Sequence, residues 1–294
     1  MTTWQVLVNP HAGGGRSAKA DTMAALRSLS IPAHVLEVDG LARLKEAVRE
    51  AADTDRRRLV AVGGDGTVNA VLNEIMAHSW KAPPLLGILP TGTGCDLLRT
   101  FGVGPELDRA AARLVEGAPY PVDVGLAIGE WGRRYFLNVA SAGATASAAQ
   151  TAQRIPGRLG SFRYVAAVAA SLPSWRRVET RVDVGRREFS GPALTVVVAN
   201  AQFFGGGFNI APRASMVDGL LDVQILTSRR REVAALMRKV RGGDHLAEPG
   251  VRRFVAPEAR IETDEPWPVE VDGEPLGRTP LVVRLQAGCL SLMV

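Results

Sequence analysis

Hydrophobic positions in the first 124 residues form short apolar runs, which alternate with longer segments where apolar residues recur every three or four positions. The short runs predict buried strands and the longer segments predict amphipathic helices. Strands that alternate with helices are typical of a parallel α/β sheet. We therefore predict strands at 4–8, 33–38, 59–62 and 85–89, and helices at 17–29, 41–52, 68–77, 95–101 and 105–117.

The pattern changes after Pro121, where β-rich runs dominate and turn signals such as Asp218-Gly219 and Asp272-Gly273 separate them. These runs predict a mostly antiparallel sheet structure. The predicted strands are 122–128, 135–139, 181–184, 194–199, 220–226, 260–263, 269–271, 281–285 and 290–294, with helices at 142–153, 162–172 and 230–240. We predict an α/β domain over residues 1–124 and a β-sandwich domain over residues 125–294, whose last strand can return to the first domain.

Composition narrows the class of protein. The 294 residues are 46% hydrophobic and 22% charged, which is ordinary for a globular protein. The net charge of +5 favours an anionic partner, such as a phosphate ligand or an acidic membrane surface. Basic clusters without interleaved aromatic residues argue against a nucleic-acid partner. Two distant cysteines, no visible signal peptide and no long apolar run predict a cytoplasmic protein that is at most peripheral to the membrane.

Three predicted strand-to-helix turns are rich in glycine: residues 8–17, 62–69 and 89–96. Ligands of open parallel sheets bind at the carboxyl ends of the strands, where such turns gather. Glycine lets the backbone approach a phosphate, and the following helix presents free N–H groups. The alternative is three tight turns that use glycine for its backbone freedom. Three such turns in one domain favour a bound phosphate.

None of these turns is a Walker loop or a dinucleotide-binding fingerprint. Asp65 is unusual because a carboxylate in a phosphate loop would repel a bare anion. Its presence suits a Mg²⁺ that bridges phosphates, or a substrate hydroxyl. The alternative role is a side-chain cap for the helix that follows.

At this point the sequence resembles a known family. The run 63–67 (Gly-Gly-Asp-Gly-Thr) is similar to the signature of diacylglycerol kinases, sphingosine kinases and NAD kinases. The flanking motifs resemble those of the lipid kinases, and they follow in order over nearly the whole chain. They are Asn9-Pro10, residues 89–97, residues 138–143, residues 205–207, Pro212-Arg213-Ala214, residues 218–223 and residues 271–274.

The resemblance implies an NAD kinase-like nucleotide domain, a β-sandwich second domain, an active site in the cleft between them, and Mg²⁺-ATP as the phosphate donor. The nucleotide contacts it implies are Asn9, Pro10, His11, Ala12, Gly13, Gly64, Asp65, Gly66, Thr67, Asn69 and Thr93. We expect Glu274 to be the general base and Asp272 to support it or the metal. Asp65 is the rival candidate for the general base. Asp272-Gly273 also reads as a hairpin turn, and both roles are compatible.

The resemblance also implies a structural Mg²⁺ held by Asp218 with the carbonyls of Ser215 and Leu220, although a simple turn explains Asp218-Gly219 equally well. Two positions depart from the family pattern. Cys95 stands where the family usually has Asn, which puts in doubt whatever that amide holds. Val38-Asp39 stands where a nucleotide-contacting Thr is usual, so Asp39 is left out of the site.

The segment 154–177 combines five arginines (Arg154, Arg158, Arg163, Arg176 and Arg177) with apolar residues and contains no acid. It suits an anionic membrane surface, with an ordinary solvated helix as the alternative. We therefore predict an ATP-dependent lipid kinase that converts diacylglycerol to phosphatidic acid at a membrane surface. The alternatives are a sphingoid or ceramide kinase, an NAD kinase, and a non-catalytic nucleotide or lipid sensor. A homodimer through the β domain stays open.

Overall fold

The computed structural model describes residues 3–12, 18–91, 95–156 and 162–294. The chain divides into two compact units. Unit 1 comprises Met1–Val122 together with Gly288–Val294, and unit 2 comprises Asp123–Ala287. Gly13, Thr93 and Arg158 lie outside the described residues.

Unit 1 is built on a parallel sheet. Its strands are β1 (Trp4–Val8), β2 (Ala33–Glu37), β3 (Arg58–Gly63) and β4 (Leu85–Pro90). Its helices are α1 (Ala18–Ser28), α2 (Leu41–Asp53), α3 (Asp65–Met76), α4 (Asp96–Thr100) and α5 (Leu107–Glu116). The strand order is β2-β1-β3-β4, with β1 and β4 parallel to β3 between them. The predicted parallel α/β sheet is confirmed.

The apolar pattern explains how this sheet is covered. β1 is buried along its whole length, as expected of a parallel strand with helices on both faces. α2 buries Leu44, Ala47, Val48 and Ala51, which lie on one side of the helix at spacings of three and four. α5 buries Ala110 and Ala111, the small residues on its packed face.

Unit 2 is a β-sandwich. Its strands are β5 (Pro119–Gly129), β6 (Gly132–Phe136), β7 (Val139–Gly143), β8 (Val178–Val184), β9 (Arg187–Ala193), β10 (Thr195–Ala199), β11 (Phe203–Phe204), β12 (Phe208–Asn209), β13 (Leu221–Leu226), β14 (Val251–Ala256), β15 (Glu258–Thr263), β16 (Pro268–Val271), β17 (Glu274–Arg278) and β18 (Leu281–Met293). The first residues of β5 and the last residues of β18 belong to unit 1. Its helices are α6 (Ala144–Gln153), α7 (Phe162–Ser171) and α8 (Val233–Gly242). One antiparallel layer has the order β14-β13-β10-β7-β16-β17, and the other contains β18, β15, β8 and β9. A single core cluster contains residues of both layers, including Val198, Val223, Ile261 and Val283, which confirms the predicted sandwich.

The C-terminal strand runs through both units. In unit 2, Leu281–Arg284 of β18 pair antiparallel with β15. In unit 1, Ser291 and Leu292 pair parallel with Leu85 and Leu86 of β4. The prediction of two strands at 281–285 and 290–294 is wrong, because the two are parts of one strand, in which Gly288 adopts a φ of +58°.

Two further strand predictions need correction. The predicted strand 135–139 is divided between β6 and β7, because the backbone of residues 137–139 hydrogen-bonds to the side chain of Asp272 instead of continuing one ladder. β9, β11, β12, β14 and β17 were not predicted. β9 and β17 are largely solvent-facing and contain glycine and proline, so neither has an apolar run to mark it.

Candidate active site

The first glycine-rich turn is tied to the second through Asn9. The Asn9 Nδ2 donates to Thr67 Oγ1 at 3.0 Å, and its Oδ1 accepts from the His11 backbone N–H at 2.9 Å. Asn9 therefore joins the turn that contains Pro10 and Ala12 to the beginning of α3. The exposed His11 ring contacts Asp39 Oδ1 at 2.9 Å, so the excluded Asp39 lies beside a predicted site residue.

The second turn contains three glycines with different structural demands. A Cβ at Gly63 would lie 2.3 Å from Thr67 Oγ1, so the Thr67 side chain requires glycine there. A Cβ at Gly64 or Gly66 would meet no neighbouring atom of the described residues within 4 Å. Gly64 has φ −96°, which any residue can adopt. Neither packing nor backbone strain requires glycine at positions 64 and 66, and the space beside them has room for a ligand phosphate.

This open space lies at the N-terminus of α3, a helix of 12 residues. A helix N-terminus carries unpaired backbone N–H groups and the positive end of the helix dipole. The residues present therefore fit a nucleotide phosphate. Asn69 is buried on α3, and its side-chain oxygen accepts from Asn73 Nδ2 at 3.0 Å.

Asp65 reaches the third turn instead of capping its own helix. Its Oδ1 and Oδ2 accept from the backbone N–H of Asp96 at 3.0 and 3.3 Å, and the thiol of Cys95 hydrogen-bonds to it. α3 has no side-chain cap, so the alternative of Asp65 as its cap is wrong. Burial, with the negative charge of Asp65 next, raises the pKa of the Cys95 thiol well above its usual range. Cys95 thus remains a protonated donor to Asp65, although it has no amide.

In unit 2, Asp272 and Gly273 form the two-residue turn between β16 and β17. Their φ angles are +48° and +81°, and Val271 pairs with Glu274 to close the hairpin. Positive φ at both central positions is the type I′ geometry that Asp-Gly favours. The predicted hairpin is confirmed.

The Asp272 carboxylate holds the neighbouring strand connection. Its Oδ1 accepts from the backbone N–H groups of Asn138 and Val139, each at 3.0 Å, and its Oδ2 from Leu137 at 3.1 Å. These bonds anchor the turn to the segment between β6 and β7. Glu274, the first residue of β17, keeps a half-exposed carboxylate that is paired with the Arg134 guanidinium of β6.

Glu270 belongs to the same hairpin and was missed by the sequence analysis. It is buried, and it accepts from Ser141 Oγ at 2.6 Å and from the Gly273 N–H at 2.7 Å. Burial raises its pKa to about 7, although these two hydrogen bonds oppose the shift. Ser141 also belongs to a chain of hydroxyl groups. Thr145 Oγ1 donates to Ser141 Oγ at 2.7 Å and lies 2.7 Å from Thr195 Oγ1. The available signal was an acid between two valines in a strand buried on both faces.

The predicted metal turn is an Asx turn in the structure. Asp218 Oδ1 accepts from the Leu220 N–H at 3.0 Å, and Gly219 has φ +71°. The Gly219 N–H donates to Asp123 Oδ2 at 2.9 Å, which ties the turn to β5. Asp218 is exposed, and Ser215 and Leu220 are half-buried. Among the described residues, no group of three or more His, Cys, Asp or Glu side chains could hold a metal ion.

Both units match models of known families. Residues 3–127 match the diacylglycerol kinase catalytic domain, and residues 138–294 match the YegS C-terminal NAD kinase beta sandwich-like domain. The chain is 32% identical over 278 residues to a Pseudomonas aeruginosa protein named "Probable lipid kinase YegS-like", covering 94% of this chain and 88% of that one. It is 28% identical over 239 residues to the diacylglycerol kinase of Bacillus subtilis, covering 80% of this chain and 76% of that one.

A solved structure shares the fold. The crystal structure of a diacylglycerol kinase from Bacillus anthracis str. Sterne superposes with a TM-score of 0.74 at 22% identity, covering 99% of this chain and 96% of that chain. At this identity the likeness shows the fold alone. The family models match both units, and the identity to the Pseudomonas protein extends over nearly the whole chain. The chain therefore belongs to the diacylglycerol kinase and YegS-like lipid kinase family, and it is a lipid kinase.

Proposed function

We propose that this lipid kinase transfers the γ-phosphate of ATP to the hydroxyl of diacylglycerol, which gives phosphatidic acid. The observation that carries the nucleotide half is the open space at Gly64 and Gly66 beside the N-terminus of α3. The kinase family implies the use of ATP. The name of the Bacillus subtilis relative supports diacylglycerol as the acceptor.

In this proposal the backbone of residues 64–67 binds the phosphates, and Asn9 holds Thr67 and the first turn in register. Hydrogen bonds from the Asp96 backbone N–H and the Cys95 thiol fix the orientation of the Asp65 carboxylate. ATP supplies the phosphoryl group, and a Mg²⁺ ion held at its phosphates would offset their charge. Asp65 is the side chain in this turn that would hold that metal.

The half-exposed carboxylate of Glu274 is the proposed general base. A new bond forms between the lipid oxygen and the γ-phosphorus of ATP. The bond between that phosphorus and the oxygen that bridges it to the β-phosphate breaks, and ADP leaves. The hydroxyl proton passes to Glu274. Asp272 contributes by holding the hairpin in place, because its oxygens accept three backbone N–H groups. The metal role of Asp218, Ser215 and Leu220 stays a separate proposal.

The first test is Mg²⁺-dependent transfer of labelled γ-phosphate from ATP to lipids in mixed micelles. The panel contains diacylglycerol, a sphingoid base and ceramide, with NAD as a further acceptor. We expect labelled phosphatidic acid. Another labelled lipid would replace diacylglycerol as the substrate. Labelled NAD alone would support an NAD kinase, and ATP binding without any product would support a sensor.

The second test separates the two acids. We expect Glu274→Gln to lower kcat by about 100-fold or more, which is the usual contribution of a general base. Glu258→Gln is the matched control, since Glu258 is equally exposed and pairs with Arg284. Wild-type turnover by Glu274→Gln, with a large loss in Asp65→Asn, would transfer the base role to Asp65.

A further inference from the structure

The outward face of α7 is apolar throughout. Phe162, Val165, Ala166, Ala169 and Ala170 are all exposed, and their spacing places them on one side of the helix. Phe162 is 73% exposed and Val165 is 43% exposed. Among the large hydrophobic side chains of the described ranges, Phe162 is the most exposed. We name these five residues the α7 outer face.

The opposite side of α7 already has a partner. Tyr164, Ala167, Val168 and Ser171 are buried, and the Tyr164 ring stacks edge-on against Phe204 with centroids 5.1 Å apart. A helix that is apolar on both sides is normally buried on both sides. Packing among the described residues of unit 2 therefore explains the burial of one side of α7 and does not explain why the α7 outer face is apolar.

The charged residues of the segment around this face are mostly basic. The sequence contains no Asp or Glu between Glu130 and Glu179. Arg163 donates to the carbonyl of Ala152 in α6, and Arg230 donates to the carbonyl of Pro173 just beyond α7. Of the ion pairs formed among described residues, none involves Arg154, Arg163, Arg177 or Arg230, whereas Arg176 is paired with Glu265. The neighbourhood of the α7 outer face therefore carries net positive charge.

We propose that the α7 outer face docks this enzyme on an anionic lipid bilayer, with Phe162 and Val165 inserted among the acyl chains and the arginines at the headgroups. This inference rests on the proposed function, because a kinase of diacylglycerol must reach a substrate that stays in a membrane. A helix of 10 residues is about 15 Å long, too short to span a bilayer, so it lies in the interface plane. Apolar insertion together with basic charge is the combination that holds such helices on anionic lipid.

The test is cosedimentation of the full-length protein with two vesicle types and no nucleotide. One type is phosphatidylcholine alone, and the other is phosphatidylcholine mixed with phosphatidylglycerol. We expect the wild type to bind the mixed vesicles more tightly. Phe162→Ser with Val165→Ser should weaken that binding by about tenfold or more, since it removes both inserted side chains. Arg154→Gln with Arg177→Gln should remove the preference for the anionic vesicles.

Leu41→Ser with Val115→Ser is the matched control, because these unit 1 side chains are 55% and 59% exposed. Equal binding by the wild type and the Phe162/Val165 variant would overturn the proposal, as would equal loss in the control. So would a wild-type dimer that this variant converts to a monomer, because a second copy of the chain would then cover the face. Vesicle binding needs no turnover. Normal binding without any phosphorylated lipid would reject the proposed function and leave the docking surface intact.

Discussion

At the scale of single residues, Gly63 and Gly64 are adjacent but respond to different constraints. A Cβ at Gly63 overlaps Thr67, whereas a Cβ at Gly64 enters space free of the described residues. We expect Gly63→Ala to lower the melting temperature, because overpacking typically costs about 1–3 kcal/mol. Gly64→Ala should leave it unchanged and raise the KM for ATP by about tenfold or more. Differential scanning calorimetry and nucleotide titration measure the two effects. A lower melting temperature with unchanged KM in Gly64→Ala would argue against a phosphate at this turn.

Cys95 is one of the two positions that differ from the expected family pattern. Cys95 is buried, and its thiol donates a hydrogen bond to the Asp65 carboxylate, as a polar side chain at this position would. We expect Cys95→Ala to lower kcat by about tenfold, since it removes one donor from the Asp65 carboxylate. Cys95→Ser keeps a donor and should keep most of the activity. Single-turnover phosphorylation measures both. Equal activity in the two variants would mean that the Cys95 side chain does not position Asp65.

At the scale of elements, the β16–β17 hairpin contains an acid that should make stability depend on pH. Burial raises the pKa of Glu270 from 4.5 to about 7. The unfolded chain ionises this group at the lower pH, so unfolding releases a proton between these values. The contribution of Glu270 to the free energy of unfolding should therefore be highest below about pH 4.5, fall as the pH rises to about 7, and level off above it.

Glu270→Gln isolates this effect because it keeps the shape and removes the titration. The stability of the wild type relative to this variant should decline by about 3 kcal/mol over the same pH range. Urea unfolding of both proteins at a series of pH values gives the difference. Two parallel curves would show that the pKa of Glu270 is the same in the folded and the unfolded protein, and that burial does not raise it.

The elements also show what the sequence could and could not reveal. Runs of alternating or continuous apolar residues predicted β1, β4 and the two-domain pattern, because burial of a strand leaves a local signature. The Asp272-Gly273 turn was predictable because its backbone geometry restricts the residue types. The role of Asp272 in holding Leu137 and Asn138 was not predictable, since it depends on a contact between residues far apart in sequence. Glu270 was missed for the same reason, because its partner Ser141 lies on another strand.

At the scale of the whole molecule, the path of β18 makes unit 1 depend on residues that lie far along the chain from its other strands. The strand leaves unit 2 at Ala287 and completes the parallel sheet beside β4, where the Ser291 N–H donates to the carbonyl of Pro84 at 2.9 Å. Leu290 and Leu292 are fully buried, and Met293 joins the apolar cluster of unit 1. Removal of each large buried side chain costs about 2–5 kcal/mol.

We therefore expect a variant truncated after Ala287 to lose structure in unit 1 and to keep it in unit 2. Its β4 would present an unpaired edge over an opened core, whereas the pairing of Leu281–Arg284 with β15 would be retained. Hydrogen exchange followed by mass spectrometry should show faster exchange in β3 and β4, with β10 and β13 still protected. Leu292→Ala is the milder control and should produce a smaller change in the same peptides. Unchanged protection of β4 would mean that unit 1 is stable without the returning strand. Loss of protection in both units would mean that the two fold as one cooperative system.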